Sequence, residues 1–389
     1  HTMKKKRSLG QAIVATRLMD RRTFLRRKLG FISKTMFLAN MLAIIALLMS
    51  YSATFINPKS FWPIAFMGLG YLPILLVNIG FICYWLLRKR KVALYSLAAI
   101  LLGWPFLTKH WNIRKENPPV PPETRTLRIM TFNAHLFKKV GEEKKNFKAD
   151  VVRIIDSISP DVICFQEYIS KIKGKHVFSE EFKDKLGYDY FFFEPSSKND
   201  YEAYGMAVLS RFPIYDSGTI RDNDYGINRI CYVDIKKQDT LVRIYNIHLR
   251  SFALQNEDKE FIQNLSNKTE TDNTATRRLS RKLKNAFELR SEQAHSLKKH
   301  MNDCQYPYIA VGDFNDTPMS YSVNLIGDGM YNAFKEKGNG WGVTHHALLP
   351  IFQIDYIFAS PKFQVMNYQV VKQKLSDHYP VWSDLRLKP

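Results

Sequence analysis

Three apolar stretches without a single formal charge, all within the first 110 residues, constrain this chain more than any other feature. Residues 35–58 and 60–87 form uninterrupted runs of 24 and 28, and a third run, 92–108, holds 17. A bilayer core takes about 20 helical residues at ~1.5 Å of rise each. The first two runs meet that requirement. The third falls short unless the flanking Lys109 and Trp111 anchor it at the interface. Core helices of soluble proteins rarely run so far without a charge, and a cleaved signal peptide would not be followed at once by a second apolar run.

The charge divides at the same place. Of the formal +21, residues 1–109 carry +16, from 17 Lys and Arg against the single acid Asp20, which leaves +5 for the other 280 residues. The basic groups are the runs 4–7, 17–34 and 88–91. The basicity therefore belongs to the apolar segment and is no nucleic-acid footprint. By the positive-inside rule the N-terminus and 88–91 lie in the cytoplasm and 57–60 outside. A third crossing then carries the rest of the chain out, into the periplasm of a Gram-negative cell, as a multi-pass membrane protein. If 92–108 instead lies flat on the bilayer, the remainder stays cytoplasmic.

The expected layout is a basic segment 1–34, a membrane anchor of two to three spans over 35–111, a linker 112–125 rich in proline (Pro118, Pro119, Pro121, Pro122), and a globular domain 126–389. The four cysteines show no CxxC spacing, so neither a zinc nor a redox motif is present.

Within the domain, short apolar runs at 127–132, 162–165, 188–193, 205–209, 231–235, 242–247, 308–311, 354–359 and 365–371 read as strands. Residues 149–158 and 286–301 read as helices. Many strands with few helices between them argue for packed sheets with helices outside. Residues 251–281 are polar, charged and poor in aromatics, and read as a solvated arm, partly helical or disordered.

Polar side chains recur where these strands end. Asn133 follows the first run, Gln166-Glu167 the second, His248 the run 242–247, and Asp313 and Asn315 the run 308–311. Asp355 lies inside an apolar run, and Asp377-His378 precede the last strand. Singly, each has a structural explanation as a turn, a cap or a core histidine. An unpaired carboxylate in an apolar run is costly, however, and six such ends together imply one composite site.

The motifs TFNAH, CFQEY, GMAVLSRFPI, NIHLRS, RSEQA, GDFND, QIDYIF and SDHYPV, in this order over 127–387, resemble those of the endonuclease/exonuclease/phosphatase superfamily of metal phosphoesterases. The resemblance implies an α/β four-layered sandwich, two mixed sheets flanked by helices, here behind an α-helical membrane anchor. It implies Glu167, Asn133 and Asp377 at the metal, Mg²⁺ or else Mn²⁺. It implies Asp313 as the group that orients or deprotonates water, with Asn315 beside it, and His378 on the scissile phosphate with Asp355 orienting it. His248 stands where a second phosphate-contacting histidine belongs. Tyr204 replaces the glutamate that one branch pairs with its first histidine, leaving Glu202 as the substitute, and the abasic-site branch matches poorly because it lacks a histidine at 248. Asn228 and Arg229 are candidate substrate contacts.

Hard oxygen donors without a cysteine set suit Mg²⁺ or Mn²⁺ better than zinc. The expected activity is hydrolysis of a phosphate mono- or diester in nucleic acid, a phospholipid headgroup or a small phosphorylated molecule, with the bilayer as partner and no obligate protein partner. The competing readings are a catalytically inactive binding or scaffold module on the same fold, and a transporter subunit. Spans without intramembrane acids or bases oppose the transporter.

Overall fold

The computed structural model describes residues 31–114, 126–137, 148–171, 178–220, 227–264, 273–347 and 351–389. Its first part is a small helical bundle: α1 (Phe31–Ser52), α2 (Pro63–Leu69), α3 (Tyr71–Arg88), α4 (Arg90–Leu102) and α5 (Trp104–Leu107). Helices α1 and α3 are long and apolar enough to cross a membrane, and only 11% and 22% of their apolar windows is buried. A core helix of a soluble protein would be mostly buried.

The second apolar run is not one helix, because Pro63 starts α2 and Gly70 separates it from α3. The third run is also divided, at Gly103, and the 13 residues of α4 reach only ~20 Å. A buried polar centre ties α1, α3 and α4 together. Asn40 donates to the Ser96 hydroxyl at 2.7 Å and accepts from the Trp85 indole at 2.7 Å. A satisfied amide among apolar helices fixes their rotation about one another.

The strands of the domain are β1 (Trp111–Asn112), β2 (Thr126–Asn133), β3 (Val162–Lys171), β4 (Tyr190–Lys198), β5 (Glu202–Ser210), β6 (Ile214–Ile220) and β7 (Ile230–Lys237). There follow β8 (Thr240–His248), β9 (Tyr308–Asp313), β10 (Tyr331–Asn332), β11 (Gly340–Trp341), β12 (Asp355–Ala359), β13 (Phe363–Val370) and β14 (Val381–Leu387). One sheet has the order β13-β14-β2-β3-β5-β4 and the other β10-β12-β9-β8-β7-β6. Both are mixed, with the parallel pairs β2–β3 and β8–β9 at their centres.

Period-two alternation builds the layers. In β2, Leu127 and Ile129 enter the cluster between the sheets, while Met130 and Phe132 turn outward to α6 (Lys148–Ile158) and α7 (Phe178–Leu186). On the other sheet Tyr245, Ile247 and Tyr356 turn outward to α9 (Asn273–Asn302) and α10 (Tyr321–Gly327). Two mixed sheets face to face with helices on both outer faces make the four-layered α/β sandwich.

The arm expected at 251–281 is helical over most of its described residues, after an irregular start at 251–255. Helix α8 (Asn256–Asn264) and the start of α9 carry it, so α9 begins well before residue 286. Its charges pair with one another: the buried Asp258 accepts from Arg278 at 3.0 Å and Lys282 at 2.6 Å. Asp258, Phe261 and Ala275 are buried, and the other described side chains of the arm are exposed or half-exposed. Strand β6 escaped the sequence reading because it is an edge strand with Asp216, Ser217 and Gly218 at its centre, where no apolar run is needed.

Bundle and domain are packed together. Asn112, expected in the linker, lies in β1, pairs with β11 and donates to the Phe334 carbonyl at 3.1 Å. Residues 115–125 lie outside the described residues. In the loop between α1 and α2, Asn57 accepts from Ser291 of α9 at 2.8 Å and Lys59 pairs with Glu292. Met319 of the domain is buried among Leu47, Tyr51, Tyr71 and Leu75.

Candidate active site

The site is the polar end of the apolar layer between the sheets. Val242 and Ile244 of β8, Ile309 and Val311 of β9, and Ile357 and Ala359 of β12 face that layer. Continuing each alternation to the rim gives His248, Asp313 and Asp355, just as β2 continues to Asn133. Register brings them side by side, for Asp313 is the partner of His248 across the parallel pair and of Asp355 across the antiparallel one. Strand β12 runs the other way, so the start of it meets the ends of β8 and β9. His378 arrives in the same way, just before β14, which is antiparallel to β2. Ser376 donates to the Asn133 carbonyl at 2.8 Å and accepts from the His378 N–H at 3.0 Å, pinning that segment in place.

Asp355 receives His378 Nδ1 on both oxygens, at 2.9 and 3.1 Å, and both residues are buried. Burial alone would lower the His378 pKa, but Asp355 and Asp313 raise it well above the ordinary imidazole value. Its Nε2 lies 3.8 Å from Asp313 Oδ2, outside hydrogen-bond reach. Asp313, 1% exposed, is raised by burial with Asp355 adding to it, against the opposing charge of His378. Its oxygens accept from the Asn315 N–H at 2.8 Å, the Asn133 amide at 3.0 Å and the Asn315 amide at 3.2 Å. His248 Nε2 lies 3.1 Å from the Asn228 amide and 3.7 Å from Asp313.

Glu167 sits at a bulge in β3 with φ of 50°. Bulges re-aim side chains, and its neighbour Gln166 points between the sheets instead, donating to Asn246 of the other sheet at 2.7 Å. Burial would raise the Glu167 carboxyl, but the hydrogen bond from His135 and the charges of His248 and His378 lower it to about 2.

Two residues here were not singled out from the sequence. His135 Nδ1 lies 3.4 Å from Glu167 and 3.7 Å from Asp377, and His345 stacks edge-on against the His378 ring at 4.9 Å. His135 lies in the 3-10 turn after β2, within the TFNAH motif, and position two after Asn133 was its one signal. His345 lies in an irregular segment that a backbone bridge to His378 brings to the site, where its Nε2 lies 4.0 Å from Asp377.

Other expected contacts are placed elsewhere. Arg229 pairs with Glu194 at 2.8 Å, and Glu202 accepts from the Tyr204 hydroxyl at 2.7 Å, so His248 is answered by Asn228 where the glutamate was expected. The Asn315 amide is used on Asp313 and on the Leu249 carbonyl at 3.0 Å, which makes it a steadying group for Asp313.

The profile of the Endonuclease/Exonuclease/phosphatase family matches residues 130–378. The chain belongs to this family. Its members are hydrolases of phosphate esters that depend on a divalent metal, and this chain is such a hydrolase.

A second profile, described only as a domain of unknown function, matches residues 33–110. Among solved structures, an endonuclease/exonuclease/phosphatase from Beutenbergia cavernae is 21% identical, covering 68% of this chain and 72% of that one at a TM-score of 0.49. A Bacteroides thetaiotaomicron family protein is 15% identical over 68% and 98% of the two chains at 0.49. The human Nocturnin catalytic domain with bound sulfate is 18% identical over 69% and 96% at 0.47. A search of curated proteins finds no match.

The family's metal fits the residues present. Glu167 and Asp377 converge on His135, whose pKa their carboxylates raise, the hydrogen bond to Glu167 foremost, so this spot draws positive charge. Asp377 Oδ1 is buried without a hydrogen-bond partner in the described structure. Carboxylate and amide oxygens are hard donors of the kind Mg²⁺ and Mn²⁺ take.

Proposed function

We propose that this chain is a membrane-anchored phosphoesterase dependent on Mg²⁺ or Mn²⁺. One observation carries the reading: Asp313, the Asp355–His378 pair, His248, Glu167 and Asn133 meet at one end of the sandwich. In this proposal Asp313 takes the proton of the attacking water. Burial raises its carboxyl, which strengthens it as a base, and Asn133 and Asn315 hold its oxygens in place. His378, kept cationic by Asp355, donates from Nε2 to the phosphate, and His248, steadied by Asn228, contacts a second phosphate oxygen. Glu167, Asn133 and Asp377 would hold the metal, which when bound neutralises charge on the phosphate oxygens. Because these groups converge in competent positions, an inert scaffold is the weaker reading.

Anchor and orientation are part of the proposal. The loop joining α1 to α2 and the segment after α5 both pack on the domain. That is what three crossings would produce, with the domain outside the cytoplasm. The substrate is a phosphate mono- or diester in nucleic acid, a phospholipid headgroup or a small phosphorylated molecule. The low net charge of the domain gives little support for tracking along nucleic acid.

The test is a metal titration of the full-length protein with bis-nitrophenyl phosphate. Activity should vanish in excess chelator and return with Mg²⁺ or Mn²⁺. Glu167→Gln should need roughly tenfold or more metal for half activity, since it loses a charged ligand. Full activity in chelator would overturn the reading.

A further inference from the structure

Where the bundle meets the domain, a cavity of about 600 Å³ opens beside the helix ends, and no catalytic residue lines it. Its size is that of a small-molecule or headgroup site. Thr54 and Phe55, just beyond α1, form one wall, Tyr321 and Asn324 of α10 form another, and Lys109 and Lys335 supply its two ammonium groups.

Lys109 is a half-buried cation whose hydrogen-bond and ring partners are neutral. Its Nζ donates to the Asn324 side-chain oxygen and lies 5.2 Å from the centre of the Phe106 ring. Among the described residues no carboxylate forms an ion pair with it, although Asp328 and Glu336 also line the cavity. Burial first, and then the charge of Lys335, lower its pKa to about 8, which leaves it mostly charged at neutral pH. Neither ammonium has an ion-paired carboxylate among the described residues, and a partly buried cation without such a partner is one that an anion can complete.

Position says which anion. Thr54 and Phe55 lie just past the apolar helix α1, and Lys109 lies two residues past the end of α5. Phe55 is 73% and Trp104 49% exposed, as aromatic side chains are at the headgroup level of a bilayer. We propose that this cavity binds the phosphate group of an anionic phospholipid between Lys109 and Lys335. The inference goes beyond the catalytic reading and depends only on its membrane anchor. Two ammonium groups can take the oxygens of a phosphate in charge-assisted hydrogen bonds.

The experiment uses the purified full-length protein in nanodiscs of phosphatidylcholine with or without phosphatidylglycerol, and native mass spectrometry counts the lipids retained. Wild type should retain one phosphatidylglycerol, Lys109→Arg should keep it, and Lys109→Gln and Lys335→Gln should each weaken retention about tenfold. Unchanged hydrolysis of bis-nitrophenyl phosphate by Lys109→Gln shows that the variant is folded. A calorimetric titration with inorganic phosphate in phosphatidylcholine discs separates the sources. Saturation by phosphate in wild type and not in Lys109→Gln, without lipid retention, supports the anion site and assigns it to a soluble phosphate. Equal phosphatidylglycerol retention by wild type and Lys109→Gln, or equal retention of phosphatidylcholine, overturns the proposal. Alkaline extraction of the membranes tests the anchor separately, so failure of insertion is distinguishable from failure of the site.

Discussion

Asp355 grips His378 Nδ1 with both carboxylate oxygens, so the opposite ring nitrogen is the one left facing Asp313, and it is this nitrogen that the proposed mechanism turns to the phosphate. An imidazole without this carboxylate loses its cationic character and its orientation together. His378→Ala and Asp355→Asn should each slow turnover by roughly 10²–10⁴-fold, and the double variant should be little slower than His378→Ala alone. Additive losses in folded protein would separate the pair. The pH dependence follows from the same groups. Asp313 must be ionised to accept a proton, and burial holds its pKa above the ordinary 3.8, so the rate should rise with pH through that raised value. His378 must be protonated, and although burial opposes it, Asp355 and Asp313 place its pKa well above 6.5, so the rate should fall only above that value. A kcat/KM profile should therefore rise through the Asp313 pKa and fall through that of His378, and Asp355→Asn should move its alkaline limb down. A wild-type rate that falls as pH rises through 6.5 would contradict the assignment.

Each strand in the centre of this fold carries apolar side chains inward for most of its length and a polar one at its rim, and its neighbours decide where that rim residue lands. Gly312 shows how tight the fit is. Its φ of 144° lies in a region open to glycine, and a Cβ there would collide with the Ile247 carbonyl oxygen of β8. Gly312→Ala should cost about 2–4 kcal/mol and displace Asp313, read as a lower denaturation midpoint together with lost turnover. An unchanged midpoint would show that β8 and β9 can part without penalty. The apolar runs themselves were legible as strands, because strands buried on both faces need continuous hydrophobicity. Edge strand β6 was not, since solvent tolerates its polar centre.

At the scale of the molecule, the helical bundle is seated on the loop that follows Asp313. Met319, six residues after Asp313, is buried in the bundle end, and Arg290 of α9 pairs with Asp316 in the same loop at 2.8 Å. The bundle and the active-site loop therefore share one packed unit. With the loop 53–62 and the domain on one side and the basic residues 88–91 on the other, a reporter fused after Pro389 should be active outside the cytoplasm. Activity confined to the cytoplasm would reverse the topology and leave α4 and α5 as an interfacial segment.

What the sequence determined by itself was whatever depends on local pattern. Charge-free length marked the apolar helices, alternation and apolar runs marked the central strands, and the polar ends Asn133, Glu167, His248 and Asp313, with Asp355 inside a run and His378 ahead of the last strand, marked one candidate site. Only the tertiary structure decided matters set by partners distant in the chain. His345 joins the site through pairing with residue 378, Arg229 is held by Glu194 of β4, and Asn228 answers His248 in place of a glutamate. Asn112 leaves the expected linker because residue 340 pairs with it. No local periodicity encodes such contacts, since they follow from which elements the packed layers bring within a few ångströms of one another.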